Sequence, residues 1–338
     1  MKLSNKNEKD WSHWHDRLHK KLLSNKTLLP KHSALLISLS GGQDSMAMVK
    51  LIIDLGRIYS WKLHIWHGNH GWHKKSCQIA KELESWCTDQ NLSFYTNATT
   101  KTKTKTELSA REWRYQNLIQ TVEEISTTET GTKCRHILTG HTSSDKAETF
   151  IMNLARGAHL KGLSSLKETR LLNQKIQLVR PILIFSRSET LKICQDLKIP
   201  VWVDPSNESN IFSRNRIRNE ILPVLEDLHP GCTQRISNLS EKFNSYKEDQ
   251  ASIAILALSA ISKEKGLCKL TMASIPVTAR ETILSAWLNQ HGIFFLAAKQ
   301  LNIISLKIIG NSPGSIDLTK GWKISWCRRY INLKQTSP

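Results

Sequence analysis

Cysteine patterns of the kind that hold metals or disulfides are missing from this sequence. The chain has seven cysteines, at positions 77, 87, 134, 194, 232, 268 and 327. Their number is odd, and no two of them form a Cys-x-x-Cys pair. Scattered single cysteines predict free thiols in a reducing compartment, and they argue against both a disulfide framework and a thiol-based zinc site.

Long apolar runs are also missing. No run of 18 apolar residues occurs, so the sequence predicts no membrane-spanning helix and no membrane partner. The first twenty residues lack an apolar segment, and Glu8, Asp10 and Asp16 interrupt their basic pattern. We therefore expect neither a secretory signal nor a transit peptide. These absences favour the cytoplasm, and the stroma of an organelle with its own genome fits them equally.

Acidic residues are scarce relative to basic ones. Lys and Arg together number 48 against 29 for Asp and Glu, which gives a formal net charge of +19. An excess of this size predicts a polyanionic partner, because a positive surface field attracts and retains polyanions. With no membrane segment in the sequence, nucleic acid is the expected partner.

The alternation of elements predicts the fold class. Short apolar strands alternate with helical patterns over roughly the first 213 residues, which is typical of an α/β fold with a doubly wound parallel sheet. Basic and helical patterns follow, and the last segment shows helices and a hairpin pattern around Lys320-Gly321. We predict an N-terminal helical extension (1–30), a nucleotide-binding catalytic domain (31–213), a helical connector (214–262) and a small α+β C-terminal domain (263–338).

A glycine-containing turn lies between the first predicted strand and the next helix. Its sequence is "SGGQDS", and neither a Lys-bearing P-loop nor a GxGxxG pattern is present in the chain. Glycines before a helix start let backbone N–H groups approach an anion closely, which predicts a phosphate site. The alternative is a plain strand–turn–helix connection in which the glycines only make the bend. The candidate ATP-binding residues are Ser40, Gly41, Gly42, Gln43, Asp44 and Ser45.

This turn is similar to the SGGxDS loop of the ATP-pyrophosphatase, or PP-loop, superfamily. Four further segments resemble, in the same order, the motifs of the tRNA(Ile)-lysidine synthetase family: "HGNH" (67–70), "ELSAREWRY" (107–115), "TGHTSSDKAETFIMNLARG" (139–157) and "WVDPSNESNIFSRNRIRNEILPVL" (202–225). The resemblance extends from about Ala34 to Leu225. It implies a Rossmann-like PP-loop domain that uses ATP and Mg²⁺.

The resemblance also implies a reaction. Members of this family adenylate the wobble cytidine in the CAU anticodon of tRNA(Ile) and then let free L-lysine displace AMP, which leaves lysidine. Two alternatives stay open from the sequence: a tRNA thiolation enzyme of the same superfamily and a non-catalytic basic RNA-binding protein. The missing Cys-x-x-Cys pair counts against thiolation. The oligomeric state is left open between a monomer and a homodimer.

Three residues are the candidate catalytic groups. On the resemblance, Asp44 holds Mg²⁺ over the phosphates, Arg111 stabilises charge on the α-phosphate, and Asp145 helps to hold Mg²⁺, steers the lysine ammonium or accepts its proton. Glu148 shares a helical face with Asp145 by its i, i+3 spacing. The alternative for Asp145 is a helix cap with Thr142. The family pattern is closer to His-His-x-Asp-Asp-Gln, so one histidine and one acid are missing here.

The remaining candidates are expected to contact tRNA or substrate. Arg111, Arg114 and Tyr115 share one helical face, from which arginine can grip phosphate and tyrosine can stack on an unpaired base. His70 is expected at the rim of the site, and a metal site built from the nearby histidines is the weaker alternative. The connector arginines are expected either to contact tRNA phosphates or to brace the domain: Arg214, Arg216 and Arg218.

Overall fold

The computed structural model describes residues 11–71, 75–99, 106–128, 133–158, 160–163, 166–202, 213–294, 296, 298–310, 312–318 and 321–335. The chain divides into two compact units, Met1–Glu241 and Lys242–Pro338. The division into four segments drawn from the sequence is finer than this one and stays a prediction. No described helix is both long and apolar enough to cross a bilayer.

The order of elements follows the alternation expected from the sequence. The α-helices are α1 (His13–Ser24), α2 (Gln43–Tyr59), α3 (Ser76–Asp89), α4 (Glu107–Thr128), α5 (Ser143–Ala155), α6 (Leu160–Leu163), α7 (Arg187–Asp196), α8 (Ser213–Arg216), α9 (Leu222–Leu228), α10 (Cys232–Ile261), α11 (Lys269–Ser274), α12 (Val277–Gln290) and α13 (Ala298–Ile308). The strands are β1 (Ala34–Ser38), β2 (Lys62–Asn69), β3 (Ser93–Ala98), β4 (Cys134–Thr139), β5 (Thr169–Leu171), β6 (Gln177–Val179), β7 (Ser262–Lys263), β8 (Gly266–Cys268), β9 (Gly314–Asp317), β10 (Trp322–Trp326) and β11 (Tyr330–Gln335).

The first sheet has the order β3-β2-β1-β4-β6-β5. The pairing is parallel among β3, β2, β1, β4 and β6. The edge strand β5 pairs antiparallel with β6. The predicted doubly wound parallel sheet is therefore confirmed, with one antiparallel edge strand added. In such a sheet the carboxyl ends of the parallel strands meet on one side, which is where ligands bind.

Strand β1 lies at the centre of this sheet and is covered on both faces. Leu35 and Ile37 are fully buried in the core that contains α2 residues such as Met46. The alternate residue Leu36 is fully buried in a second core, together with Leu118 of α4. Because successive side chains of a strand point to opposite faces, this division shows that helices pack on both sides of the sheet.

The second unit contains a five-stranded sheet of order β7-β8-β11-β10-β9 with antiparallel pairing. Its core includes Leu284 of α12, Ile308 of α13, and Ile324 of β10, which are fully buried. The predicted C-terminal hairpin is formed by β9 and β10. The predicted turn at Lys320-Gly321 lies partly outside the described residues, since Lys320 is not among them.

One local prediction needs correction, and a second has a definite outcome. The segment "VWVDP" has the pattern of a strand, but Val201 and Trp202 are not in a strand, and the rest lies outside the described residues. Strand β5 pairs with the outer edge of β6, so that edge offers no place for a further parallel strand. The connector pattern predicts a helix that Pro223 kinks or divides, and the structure divides it. Helix α8 passes into a π-helical turn at Ile217–Ile221, and Pro223 lies in the first turn of α9, where its missing N–H is tolerated.

Candidate active site

The loop between β1 and α2 is held in shape by its own serines. The Ser45 hydroxyl donates to the Gly42 carbonyl oxygen at 2.9 Å and lies 3.0 Å from the Ser40 hydroxyl. The Ser40 N–H donates to Ser45 Oγ at 3.2 Å. Gly41 has a φ of +86°, and a Cβ there would lie 3.3 Å from the Cβ of Trp202. This position therefore favours glycine for both its backbone conformation and its space.

Two other glycines affect the loop between β1 and α2, one by leaving open space and the other by allowing a close approach. A Cβ on Gly42 would meet only the Ser40 hydroxyl, at 3.6 Å, so open space lies above this residue. Gly140 follows β4, and a Cβ there would lie 3.0 Å from both the Cα and the backbone N of Ser45. Gly140 thus lets the end of β4 approach the start of α2. The open space above Gly42 beside a helix start fits a phosphate group.

A cavity of about 410 Å³ opens at the carboxyl ends of β1, β2 and β4. This volume lies within the ~300–1,000 Å³ typical of small-molecule sites. Most residues that the sequence singled out line it: Ser40, Gly42, Gln43, Asp44, Ser45, His70, Arg111, Arg114, Tyr115, Asp145, Arg214 and Arg218. Three of them do not line it: Gly41, Glu148 and Arg216.

The carboxylate of Asp44 is engaged by α7. Its Oδ2 accepts a hydrogen bond from Arg187 Nη1 at 2.7 Å, and its Oδ1 accepts one from the Thr190 hydroxyl at 2.5 Å. Burial raises the pKa of Asp44, and the nearby Arg187 guanidinium opposes this effect. Carboxylate oxygens are the ligands that Mg²⁺ prefers. The residues fit such an ion on the condition that Arg187 releases Oδ2.

Two acids and two arginines form a compact cluster on the cavity wall. Asp145 Oδ1 accepts hydrogen bonds from Arg214 at 2.8 Å and from Arg218 at 3.2 Å. Glu148 is only 1% exposed, and its two oxygens accept bonds from the same arginines at 2.8 and 2.6 Å. We call these four residues the acid–arginine cluster. Its formal charges cancel, which is how ionised groups are tolerated when buried.

Asp145 serves two purposes at once. Its Oδ2 accepts from the Thr142 N–H at 2.7 Å and from the Thr142 hydroxyl at 2.9 Å, so the capping box predicted for α5 is present. Burial alone would raise the pKa of Asp145, but Arg214, His141 and Arg218 outweigh it and lower the pKa to about 2. Asp145 is therefore an anion at any ordinary pH.

The connector arginines separate into two groups. Arg214 and Arg218 turn inward to the acid–arginine cluster, whereas Arg216 pairs with Glu220 at 2.9 Å and has a 64% exposed side chain. The nearby histidines also separate, since each packs against a different ring: His64 on Tyr95, His67 on Phe94 and His70 on Trp113. Among the described residues, no group of three or more His, Cys, Asp and Glu side chains is placed to hold a metal.

Arg111, Arg114 and Tyr115 meet on α4 as their spacing predicted. The Arg111 guanidinium carbon lies 5.3 Å from the centre of the Tyr115 ring. Behind them lies Arg180, which the sequence analysis did not select. It is 2% exposed, lies close enough to Tyr115 and Arg111 to interact with them electrostatically, and donates to the Lys167 carbonyl oxygen at 2.7 Å. The only sequence signal for it is an arginine placed directly after the short strand β6.

Three other residues at the site were also not selected. His141 lines the cavity beside Asp145, and burial lowers its pKa to about 3. Trp202 also lines the cavity, donates its indole N–H to Glu82 at 2.6 Å, and donates its backbone N–H to the Gly41 carbonyl oxygen at 2.9 Å. Arg187 begins α7, and the capping box formed by Ser186 and Glu189 was the available sign that a helix starts there.

Comparison with known proteins agrees with this geometry. The PP-loop domain family matches residues 13–225. A tRNA(Ile)-lysidine synthase from one strain of Prochlorococcus marinus is 54% identical over 334 residues, which cover 98% of this chain and 99% of the relative. A chloroplastic tRNA(Ile)-lysidine synthase of Pyropia yezoensis is 36% identical over 299 residues, or 86% of each chain.

A solved structure supports the fold. The U34-tRNA thiolase of Methanococcus maripaludis matches with a TM-score of 0.53 and 20% identity, over 68% of this chain and 77% of the thiolase. At that identity the likeness concerns the fold alone. The family match and the full-length relatives are more specific, and they agree with the residues gathered around the cavity. The chain belongs to the tRNA(Ile)-lysidine synthase family and carries its PP-loop domain.

Proposed function

We propose that this protein joins lysine to C2 of the wobble cytidine in the CAU anticodon of tRNA(Ile), with ATP as the second substrate and with AMP and pyrophosphate as products. One observation carries the proposal: a relative named tRNA(Ile)-lysidine synthase is 54% identical over 98% of this chain. The intact phosphate loop on the cavity supports it. The reaction would take place where such a tRNA is found, in a cytoplasm or an organelle stroma.

In the first step the C2 oxygen of the cytidine attacks the α-phosphorus of ATP. The bond to the bridging oxygen breaks, and pyrophosphate leaves with its electron pair. Backbone N–H groups of the loop and the hydroxyls of Ser40 and Ser45 would hold the outer phosphates. Arg111 lines the same cavity, and its guanidinium would stabilise charge at the α-phosphate.

Asp44 is the residue that would hold Mg²⁺ beside these phosphates. When bound, the ion would neutralise phosphate charge and so make the departure of pyrophosphate easier. The carboxylate is placed for this role because Asp44 lies at the first turn of α2, two residues after the open space above Gly42.

In the second step the amino group of lysine attacks C2. A C–N bond forms, the C2–O bond breaks, the oxygen leaves with AMP, and the nitrogen loses a proton. Free lysine carries two ammonium groups, one of which must lose a proton before it can attack, and a carboxylate. The acid–arginine cluster offers counter-ions for the unreacted ammonium group and for the carboxylate. Because its pKa is about 2, Asp145 is a poor proton acceptor and would instead anchor the ammonium group that does not react, while the attacking amine gives its proton to solvent.

The tRNA must present its wobble base at the same cavity. Anticodon bases are unpaired, so turning one outward costs little. Tyr115 and His70 line the cavity, and we propose that such a base stacks on one of their rings. Arg114 lies beside Tyr115, and the exposed Arg216 lies on the connector; both are proposed to contact tRNA phosphates.

The two rival functions are less well supported. Thiolation needs a reactive or cluster-holding cysteine set. Burial raises the pKa of the Cys87 and Cys194 thiols to about 12, and the described residues hold no cysteine cluster. A non-catalytic RNA-binding protein would not require an organised phosphate loop beside buried acids.

The test is a labelled-lysine assay with ATP and a tRNA(Ile) that carries the CAU anticodon. We expect label in the RNA and an equal amount of AMP. Asp44→Ala should abolish both, whereas Asp89→Ala, an exposed acid at the end of α3, should leave both unchanged. Sulfur uptake instead of lysine, or tRNA binding without AMP, would overturn the proposal.

A further inference from the structure

Arg187 is placed to do more than pair with an acid. Its guanidinium reaches Asp44 Oδ2 at 2.7 Å, yet its side chain is 35% exposed and lines the cavity. The ion pair therefore lies at the cavity surface and not behind it. A guanidinium in this place faces the space into which the phosphate loop directs an anion.

The backbone around Arg187 is fixed while its side chain is long. Gln43 Nε2 donates to the Arg187 carbonyl oxygen at 2.7 Å, and the Arg187 N–H donates to the Ser144 hydroxyl at 3.1 Å. The start of α7 is thereby attached both to the phosphate loop and to α5. The guanidinium can turn about its side-chain bonds without any movement of the helix.

While Arg187 is paired with Asp44, its positive charge keeps a metal ion away from Asp44 Oδ2. The second oxygen of Asp44 already accepts a hydrogen bond from Thr190 at 2.5 Å. A divalent cation on Oδ2 would lie against the Arg187 guanidinium, and like charges at such a distance repel. The guanidinium would then need another anion, and the phosphates of a nucleotide bound in the cavity would supply one. Arginine binds phosphate with paired, charge-assisted hydrogen bonds.

We propose that Arg187 is a phosphate-binding residue that is held on Asp44 until the nucleotide arrives, and that its guanidinium and Mg²⁺ occupy the Asp44 carboxylate in turn. This inference rests on the proposed function, because it takes ATP as the substrate of the cavity. Arg187 would keep Asp44 neutralised before binding and would then contact the phosphates that the ion accompanies.

Two opposite effects follow from removing the guanidinium. Arg187→Ala should weaken the binding of ATP in the presence of Mg²⁺ by about ten-fold or more, as expected for the loss of one hydrogen bond to a charged group. It should also strengthen the binding of Mn²⁺, used as a spectroscopic stand-in for Mg²⁺, to the enzyme without nucleotide, because Asp44 is then uncovered. A merely structural role for Arg187 would not move the two affinities in opposite directions.

The experiment measures ATP binding by calorimetry and Mn²⁺ binding by electron paramagnetic resonance on the full chain. Arg17→Ala is the matched control, since Arg17 pairs with Glu189 of the same helix at 2.5 Å but does not line the cavity. It should match the unaltered protein in both affinities. Arg187→Lys keeps the charge and should retain the weak Mn²⁺ binding while losing part of the ATP affinity. This second variant keeps the test decisive if Arg187→Ala fails to fold.

Several outcomes would overturn the inference. They are an ATP affinity within two-fold of the unaltered protein in both Arg187 variants, or an Mn²⁺ affinity that Arg187→Ala leaves the same or lowers. Failure of the proposed function looks different, because the unaltered protein would then bind no ATP or transfer no lysine. Normal lysine transfer together with unchanged affinities in the variants would refute the role of Arg187 alone.

Discussion

Two arginines of this protein are buried to nearly the same extent in very different surroundings. Arg280 is 3% exposed, and its guanidinium donates to four backbone carbonyl oxygens, of Met272, Ala273, Ile275 and Ser305. Arg180 is 2% exposed, pairs with no acid among the described residues, and has an Nε without a hydrogen-bond partner there. Burial lowers the pKa of Arg180, and Arg111 acts in the same direction. Arg280 therefore satisfies backbone carbonyl groups of the fold, whereas Arg180 keeps a positive charge close to Tyr115 and Arg111 of the cavity.

We expect Arg180→Met to leave the free energy of unfolding unchanged or to raise it by up to about 2 kcal/mol, because an apolar side chain of similar length removes a poorly compensated buried charge. The same substitution should weaken tRNA binding, since it removes a positive charge close to Tyr115 and Arg111. Chemical denaturation and a tRNA-binding titration check the two effects.

Arg280→Met provides the contrast. It strips several carbonyl groups of their donor and should lower stability by about 3 kcal/mol. If both variants lost stability equally, the view of Arg180 as a residue retained for function would be wrong.

His141 carries a prediction about pH. Burial lowers its pKa to about 3, whereas a histidine in the unfolded chain titrates near its ordinary value of about 6.5. The folded protein therefore binds fewer protons than the unfolded chain between these values, so the stability falls as the pH falls through that range. His141→Asn should reduce the loss of stability between pH 7 and pH 5. Denaturation at both pH values measures this, and an equal loss in the two proteins would contradict it.

At the scale of elements, the attachment of the connector to α5 is the feature that organises the site. Arg214 lies in α8 and Arg218 in the π-helical turn, and both reach Asp145 and Glu148 of α5. Turns of this kind occur often at functional sites. The same connection therefore serves the packing of the connector and the charge balance of the cavity.

Arg218→Ala should lower the free energy of unfolding by about 2–4 kcal/mol, because it leaves part of the charge of the buried Glu148 uncompensated. Adding Glu148→Gln should recover much of that loss, since the buried charge is then removed. Arg216→Ala removes an exposed pair from the same segment and should change stability by less than about 0.5 kcal/mol. Thermal denaturation of the three variants is the measurement. Equal losses for Arg216→Ala and Arg218→Ala would refute the bracing role.

What the sequence could predict depends on the length and periodicity of each element. The buried strand β1, the loop after it and the helices α2 and α5 have clear patterns, so the sequence could single out the phosphate loop and Asp145, which line the cavity. Strands β5 and β6 have three residues each and show no periodicity. Arg180 and Arg187 follow β6, and they reach the site because β6 pairs with β4 in space. That pairing joins segments that are far apart in the sequence, so no local sequence pattern predicts it.

For the whole molecule, the net charge of +19 sets how binding responds to salt. Each phosphate that a cationic side chain neutralises releases counter-ions, so affinity falls steeply as salt rises. We expect the affinity for tRNA(Ile) to fall by about 10³-fold or more between about 50 and 200 mM salt, if six or more phosphates are contacted. Arg216→Ala should reduce the slope by about one counter-ion. A tRNA affinity that stays flat across this range would refute the predicted phosphate contacts.

The close packing of Gly140 against Ser45 predicts how this position responds to substitution. A methyl group there would press on the first turn of the helix that carries Ser45 and would move the nucleotide cradle as a whole. A saturation screen would then rank this glycine beside the most sensitive residues, although no atom of it needs to meet a reactant. Intolerance to substitution in this enzyme therefore marks a close approach of two backbones as readily as it marks a participant in the reaction.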